Sequence, residues 1–287
     1  ESFRDSQWLW LSRDWRSNRM LLAIDIGNTN VVLGVFEKRE MIANWRLTTD
    51  TKRSADEYGT LIDAMFRLEG LEPSDIDDII ISSVVPPLIF TLQHVSYKYF
   101  NIEPIIVESG IKTGLKVKCD DPRQVGSDRI VNSVAAHSKY AGPLIVIDFG
   151  TATTFCVVTA EGEFIGGAIA PGIKTSSTAL FQQTAKLPNV LLEKPETIIC
   201  RNTTESIQSG LIYGHMGLAE FMVRGMKDEM VETLGIDRDS IKVIATGGMA
   251  SMVESGVDCI DVIDKRLTLD GLLLIYEKNE GLHHKNK

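Results

Sequence analysis

Residues 21–40 read LLAIDIGNTNVVLGVFEKRE and residues 144–163 read LIVIDFGTATTFCVVTAEGE, and this pair of stretches decides the fold. At an offset of 123, Leu21/Leu144, Ile24/Ile147, Asp25/Asp148, Gly27/Gly150, Val35/Val158 and Glu40/Glu163 are identical. Each stretch reads as an apolar strand, an acidic-glycine turn, a second apolar strand and a polar turn. A third strand follows in each, at 41–47 and 163–170, so each half opens with a three-strand meander.

Outward from the meanders, residues 55–69 place Tyr58, Leu61, Ile62, Met65 and Phe66 on one helical side. A β-branched strand at 78–84 is halted by Pro86-Pro87, and a helix near 88–99 and a strand at 104–107 follow. The second half holds a helical zone from about 171 to 233 broken near Pro188 and Pro195. A strand at 241–248, a short helix, a strand at 259–264 and a last helix near 268–279 complete it. The order βββ-α-β-α-β, given twice, predicts an α/β chain of two duplicated domains, residues 20–142 and 143–287, meeting near Ala141-Gly142-Pro143. Residues 1–19 hold three of the four tryptophans and follow neither period, so they read as a tag or over-extended start, leaving 268 residues from Met20.

Composition narrows the function classes. Of 287 residues, 44% are hydrophobic, and Lys+Arg 30 against Asp+Glu 39 gives a net charge of −9, which argues against nucleic acid as a partner. No apolar run reaches the roughly 18 residues that a membrane helix needs. Cys119, Cys156, Cys200 and Cys259 stand far apart with no CxxC pair, which suits reduced thiols in a cytoplasmic protein. His94, His137, His215, His283 and His284 show no metal-ligand spacing apart from the adjacent tail pair.

The chemistry gathers in four places. Asp25-Ile26-Gly27-Asn28-Thr29-Asn30 puts a carboxylate at the end of a buried strand, followed by a tight turn rich in donors. Such a turn can hold a phosphate while the carboxylate holds a hydrated Mg²⁺. Asp148-Phe149-Gly150-Thr151 repeats the parts, and two such hairpins are expected to clamp a polyphosphate in an interdomain cleft. Gly247 and Gly248, in Ala245-Thr246-Gly247-Gly248, let a flat adenosine lie close to backbone. Gly126-Ser127-Asp128-Arg129 precedes a helix, where Asp128 reads either as a first-turn carboxylate on the helix dipole or as the base for a substrate hydroxyl, with Arg129 beside it for an anionic substrate. No G-x-x-x-x-G-K-[ST] or G-x-G-x-x-G is present.

DIGNTN (25–30), SSVVPP (82–87), residues 114–132, IDFGTATT (147–154), PGI (171–173), RNT (201–203) and ATGG (245–248) together resemble the type III pantothenate kinases of the acetate and sugar kinase, Hsp70 and actin superfamily. The resemblance runs from Met20 to about residue 279. It implies two ribonuclease-H-like domains, a homodimer, and transfer of the γ-phosphoryl of ATP to the 4′-hydroxyl of pantothenate, with Mg²⁺ and K⁺ or NH₄⁺. By the same resemblance, Asp25, Ile26, Gly27, Asn28, Thr29, Asn30, Val31 and Val32 line the phosphates, with Asp25 near Mg²⁺. Thr151 contacts ATP and Asp148 holds the monovalent cation. Asp128 is the general base, and Cys119, Gly126, Ser127, Arg129 and Thr203 shape the pantothenate site.

Two positions depart from the family pattern: Cys119 stands where a Tyr usually lines the substrate pocket, and Ser127 replaces an Ala. The rivals are a small sugar or acetate kinase, a nucleotide-binding regulatory relative without kinase activity, and a chaperone or filament ATPase, for whose inserted subdomains the chain leaves little room.

Overall fold

The structure, a computed structural model, describes residues 19–283, with side chains through 280. The N-terminal segment to residue 18 and the tail histidines' side chains lie outside the described residues. Arg19, assigned to that segment, pairs with the buried Asp78 at 3.2 Å. By contacts the chain parts into two units between Val107 and Glu108.

The first unit runs β1 (Met20–Ile26), β2 (Asn30–Glu37), β3 (Glu40–Thr48), α1 (Ala55–Leu68), β4 (Asp78–Ser83), α2 (Pro86–Val95), a π-helical turn to Phe100, and β5 (Ile105–Ile106). Its sheet order is β3-β2-β1-β4-β5, with β1, β4 and β5 parallel and β2 and β3 antiparallel. Central β1 and β4 read as nearly unbroken apolar runs because both faces are covered. Ser54 and Glu57 form a capping box that starts α1, whose Tyr58, Ile62 and Phe66 enter the core.

The second unit runs β6 (Lys116–Val117), α3 (Ser127–Tyr140), β7 (Leu144–Phe149), β8 (Ala152–Val158), β9 (Glu163–Pro171), α4 (Ile173–Gln183), α5 (Thr203–Leu234), β10 (Lys242–Thr246), α6 (Ala250–Glu254), β11 (Val262–Ile263) and α7 (Leu267–His283). Its sheet order is β11-β10-β7-β8-β9-β6. Apart from β6, which pairs parallel with β9, this is the strand order of the first sheet. The segment between α4 and α5 is not helical; its carbonyls at Leu191, Pro195 and Ile198 accept from Gln208, Tyr213 and Ser209 of α5.

The repeat places a boundary near 141–143, whereas contacts part the chain earlier. The reason is that β6 joins the second sheet and α3 packs on β7, β8 and α7. The constant offset of 123 also fails inside the meander. Four residues, 27–30, separate the paired Ile26 and Val31, but only three, 150–152, separate Phe149 and Thr153. The structural counterpart of Val35 is therefore Val157 rather than Val158, and both lie in their unit's core cluster. The next turn reverses the difference. Lys38 and Arg39, at φ 49° and 69°, make a two-residue turn, while Ala160–Gly162 make a three-residue one with Gly162 at φ 75°.

Helix α3 is held along its length. At its C-terminal end Lys139 Nζ lies 2.5 Å from Asp264 and 2.8 Å from Asp270, and the Tyr140 hydroxyl donates to Asp264 at 2.9 Å. Burial, then the Asp264 carboxylate, push the Tyr140 hydroxyl up to about 12. In the middle, Gly271 of α7 abuts α3 so closely that a Cβ there would stand 2.2 Å from the Val131 carbonyl oxygen. Gly271→Ala is therefore expected to force the helices apart and lower stability by about 1–3 kcal/mol, read as an earlier midpoint in urea denaturation.

Candidate functional site

In the first unit, Asp25 sits one residue before the end of β1, in register with Val32 and Ser82. The turn beyond it is braced from within. Gly27 N–H donates to the Asn30 carbonyl at 2.9 Å, Thr49 N–H to the Thr29 carbonyl at 3.0 Å, and the Thr49 hydroxyl to the Gly27 carbonyl at 2.6 Å. Three carbonyls are thereby consumed, and the Asn28 and Thr29 side chains face solvent. Ile26 and Val31 have their side chains in the core, so only their backbone can line a ligand. Among the described residues no three His, Cys, Asp or Glu side chains gather as a metal cage. One carboxylate beside a braced, donor-bearing turn fits a Mg²⁺ carried in by phosphate oxygens.

In the second unit the acidic strand end meets helix α3. Asn132, buried on α3, donates from Nδ2 to Asp148 Oδ2 at 3.1 Å, and its Oδ1 accepts from the Thr268 hydroxyl of α7 at 2.7 Å. The ionised carboxylate, which only accepts, requires the NH₂ end of the amide on its side, and the Thr268 hydroxyl serves the oxygen left over. Asp148 Oδ1 lies 2.5 Å from where a Gly247 Cβ would stand and 3.4 Å from that of Gly150. The space that Gly247 (φ +94°) leaves is thus filled by Asp148 and the Phe149 backbone, so its need for glycine is internal. Gly248, by contrast, faces open space.

Asp128 is the second residue of α3, one helical turn before Asn132, with Gly126 at the N-cap and Ser127 first in the helix. Its Oδ1 accepts from the Arg129 N–H at 2.8 Å. Burial raises the Asp128 carboxyl above its ordinary range, against the opposing Arg129 N–H and charge. Asp148 is pushed up to about 6, by burial first and then by the Asp128 charge, with the Asn132 amide opposing. The Asp128 charge thus adds to burial in raising Asp148.

Arg129 completes this group. Its Nε lies 3.2 Å from Cys156 Sγ on β8, and its Cζ stands 5.4 Å from the centre of the Phe164 ring on β9. Among the described residues it makes no ion pair. Cys119 is half-buried on the segment leaving β6, and Thr203 opens α5 at the surface; among the described residues neither hydrogen-bonds to the acidic pair. Thr151 is exposed at the β7–β8 turn, its carbonyl accepting from Gly172 N–H and the Thr175 hydroxyl.

Asn132, Thr268, Cys156 and Phe164 escaped the sequence reading. Asn132 left one signal, an amide one turn beyond Asp128 on an otherwise apolar face. All four cysteines are free, and His215 lies buried between the Leu211 and Pro171 carbonyls.

The raised Asp148 carboxyl has a consequence for stability. The folded state binds this proton more tightly than the unfolded chain, so Asp148 costs stability as pH rises from about 4 to 6 and above. Asp148→Asn is expected to raise stability at pH 7.5 by on the order of 3 kcal/mol, seen as a higher melting temperature. The gain should shrink toward zero as pH falls to 4; a pH series of thermal melts reads it.

A solved structure from Campylobacter jejuni, titled a conserved putative Baf family transcriptional activator, is similar at 20% identity and TM-score 0.56, covering 91% of this chain and 99% of that one. That likeness shows the fold. The ethanolamine utilization protein EutJ from Carboxydothermus hydrogenoformans (16% identity, 89% and 88% covered) and a ROK hexokinase from Thermus thermophilus (12%, 89% and 98%) follow at TM-scores of 0.49 and 0.47. The family model of the type III pantothenate kinases matches residues 21–225, so the chain belongs to that kinase family.

Proposed function

We propose that the protein phosphorylates pantothenate at its 4′-hydroxyl with ATP and Mg²⁺, the first step of coenzyme A synthesis. Family membership supports the kinase reading. One arrangement carries the acceptor assignment: Asp128 at the start of α3, its charge raising Asp148, beside the half-buried Arg129, which makes no ion pair among the described residues. Phosphoryl transfer asks a protein for alignment and charge placement more than for covalent help.

Each residue has a physical task in this reading. Bound ATP would supply the phosphoryl group, and the Mg²⁺ it carries would offset the phosphate charge. Asp25 and the Gly27–Asn30 turn hold phosphates and metal. Gly248 offers bare backbone to adenosine. Asp128 orients the acceptor hydroxyl and takes its proton at a carboxylate oxygen as the bond forms. Arg129 receives the acceptor's carboxylate, with Cys119, Gly126, Ser127 and Thr203 shaping the rest. Asp148, oriented by Asn132, would hold a monovalent cation, K⁺ or NH₄⁺.

We read the two units as copies of one ribonuclease-H-like ancestor, supported by their shared strand order. A homodimer belongs to the same reading, with exposed Ile169, Ile199 and Phe221 as apolar surface for it. So does a cytoplasmic setting; no helix among the described residues is long and apolar enough to cross a membrane.

ADP release from ATP and Mg²⁺, with and without pantothenate, in K⁺ and then Na⁺ buffer, tests the reaction. Release is expected only with pantothenate and K⁺ together. ATP binding without pantothenate-dependent release would favour a regulatory nucleotide binder. Asp128→Asn should lower kcat by roughly 10²–10⁴ while ATP affinity stays unchanged. Cys119→Tyr should tighten pantothenate binding, measured by calorimetry; an unchanged affinity rejects Cys119 as a pocket residue.

A further inference from the structure

The Arg129 guanidinium is gripped on two sides by the sheet beneath it. Cys156 and Phe164 project from the same face of neighbouring strands: Cys156 pairs with Gly167, and Phe164 with Val158 two residues further along β8. The partner directly opposite Cys156 is thus a glycine, Gly167, so no β9 side chain stands beside the sulfur; a Cβ there would stand 1.7 Å from the Phe155 carbonyl oxygen. A thiol sulfur is a weak acceptor, and an aromatic face attracts a guanidinium without neutralising it. Neither contact cancels the positive charge, in contrast to a carboxylate at the same place.

The grip also decides which edge of the guanidinium stays available. A guanidinium can bind a carboxylate side-on, through Nε and one Nη, or end-on, through both Nη atoms. With Nε directed at the sulfur, the end-on edge remains. We propose that Cys156 is a positioning residue for substrate recognition: by holding Arg129 Nε it presents the charged Nη edge to the acceptor's carboxylate, and so contributes to selecting acidic over neutral acceptors. This rests on the pantothenate reading for its substrate; the contact itself stands independently.

Two measurements test it on the full chain. In protein labelled with ¹⁵N-arginine, Arg129→Lys identifies the Arg129 Nε–H resonance. That proton should exchange slowly with water in the parent and in Cys156→Ser, and several-fold faster in Cys156→Val. In steady-state kinetics, Cys156→Val should raise the KM for pantothenate roughly 3- to 10-fold, the size of one lost hydrogen bond, with kcat within about two-fold. Cys156→Ser should restore the parent KM. The KM for the primary-alcohol analogue of pantothenate, which lacks the carboxylate, should not move.

Unchanged Nε–H exchange in Cys156→Val overturns the contact. An equal KM rise for the carboxylate and alcohol acceptors overturns the recognition role, because a merely structural defect would weaken both. If the parent neither binds nor turns over pantothenate, the proposed function fails and the selection of an acidic acceptor fails with it, while the exchange experiment still decides whether Cys156 holds Arg129.

Discussion

A buried amide holds the acidic strand end of the second unit in place. Asn132 reaches from α3 to Asp148 on β7 and is itself fixed by Thr268 on α7, so three elements meet at one side chain. A central strand covered on both faces has nowhere to put a carboxylate except its end, and there the charge is only partly solvated. The amide donates to one oxygen while α3 brings a second carboxylate one turn away. The same helix thus both supports the charge and opposes it. Such opposition costs stability, as functional sites commonly do, and the close α3–α7 packing at Gly271 and the Lys139–Asp264–Asp270 cluster keep the helix from relaxing away.

The two acidic-glycine turns look alike in sequence and differ in three dimensions. The first has four residues between paired strand positions and turns its carbonyls inward to Thr49 and its own backbone, leaving Asn28 and Thr29 outward. The second has three, and its Thr151 carbonyl is capped by Gly172 and Thr175. Sequence-level equivalence does not carry over into equivalent ligand surfaces. The different tasks proposed for Asp25 and Asp148 are consistent with that geometry.

The succession of elements along the chain and the placement of Asp25, Asp128 and Asp148 at element ends were legible from periodicity, because apolar runs and glycine turns are local signals. What stayed hidden depends on contacts distant in sequence. The helix α3 carries no mark that it packs on β7 and α7 rather than within the first unit. Gly247 suggested room for a ligand, but its missing Cβ accommodates Asp148, 99 residues earlier in the chain. Cys156 read only as one of four reduced thiols, since only the fold brings Arg129 over it. The Cys119 substitution was visible, whereas its effect depends on a pocket that local pattern does not describe.

The paired turn lengths of the two meanders carry one more consequence. The second meander loses a residue in its first turn and regains it in the next. Each turn absorbs its own change of length: β8 follows the shorter turn, yet its Phe155 and Val157 enter the core as Leu33 and Val35 do. The second change cancels the first, and β9 returns to the offset of 123 from β3. An ungapped comparison of the halves scores them as aligned while β2 and β8 run one residue out of step. The match at Val35 and Val158 is then one of sequence alone, since in three dimensions Val35 corresponds to Val157.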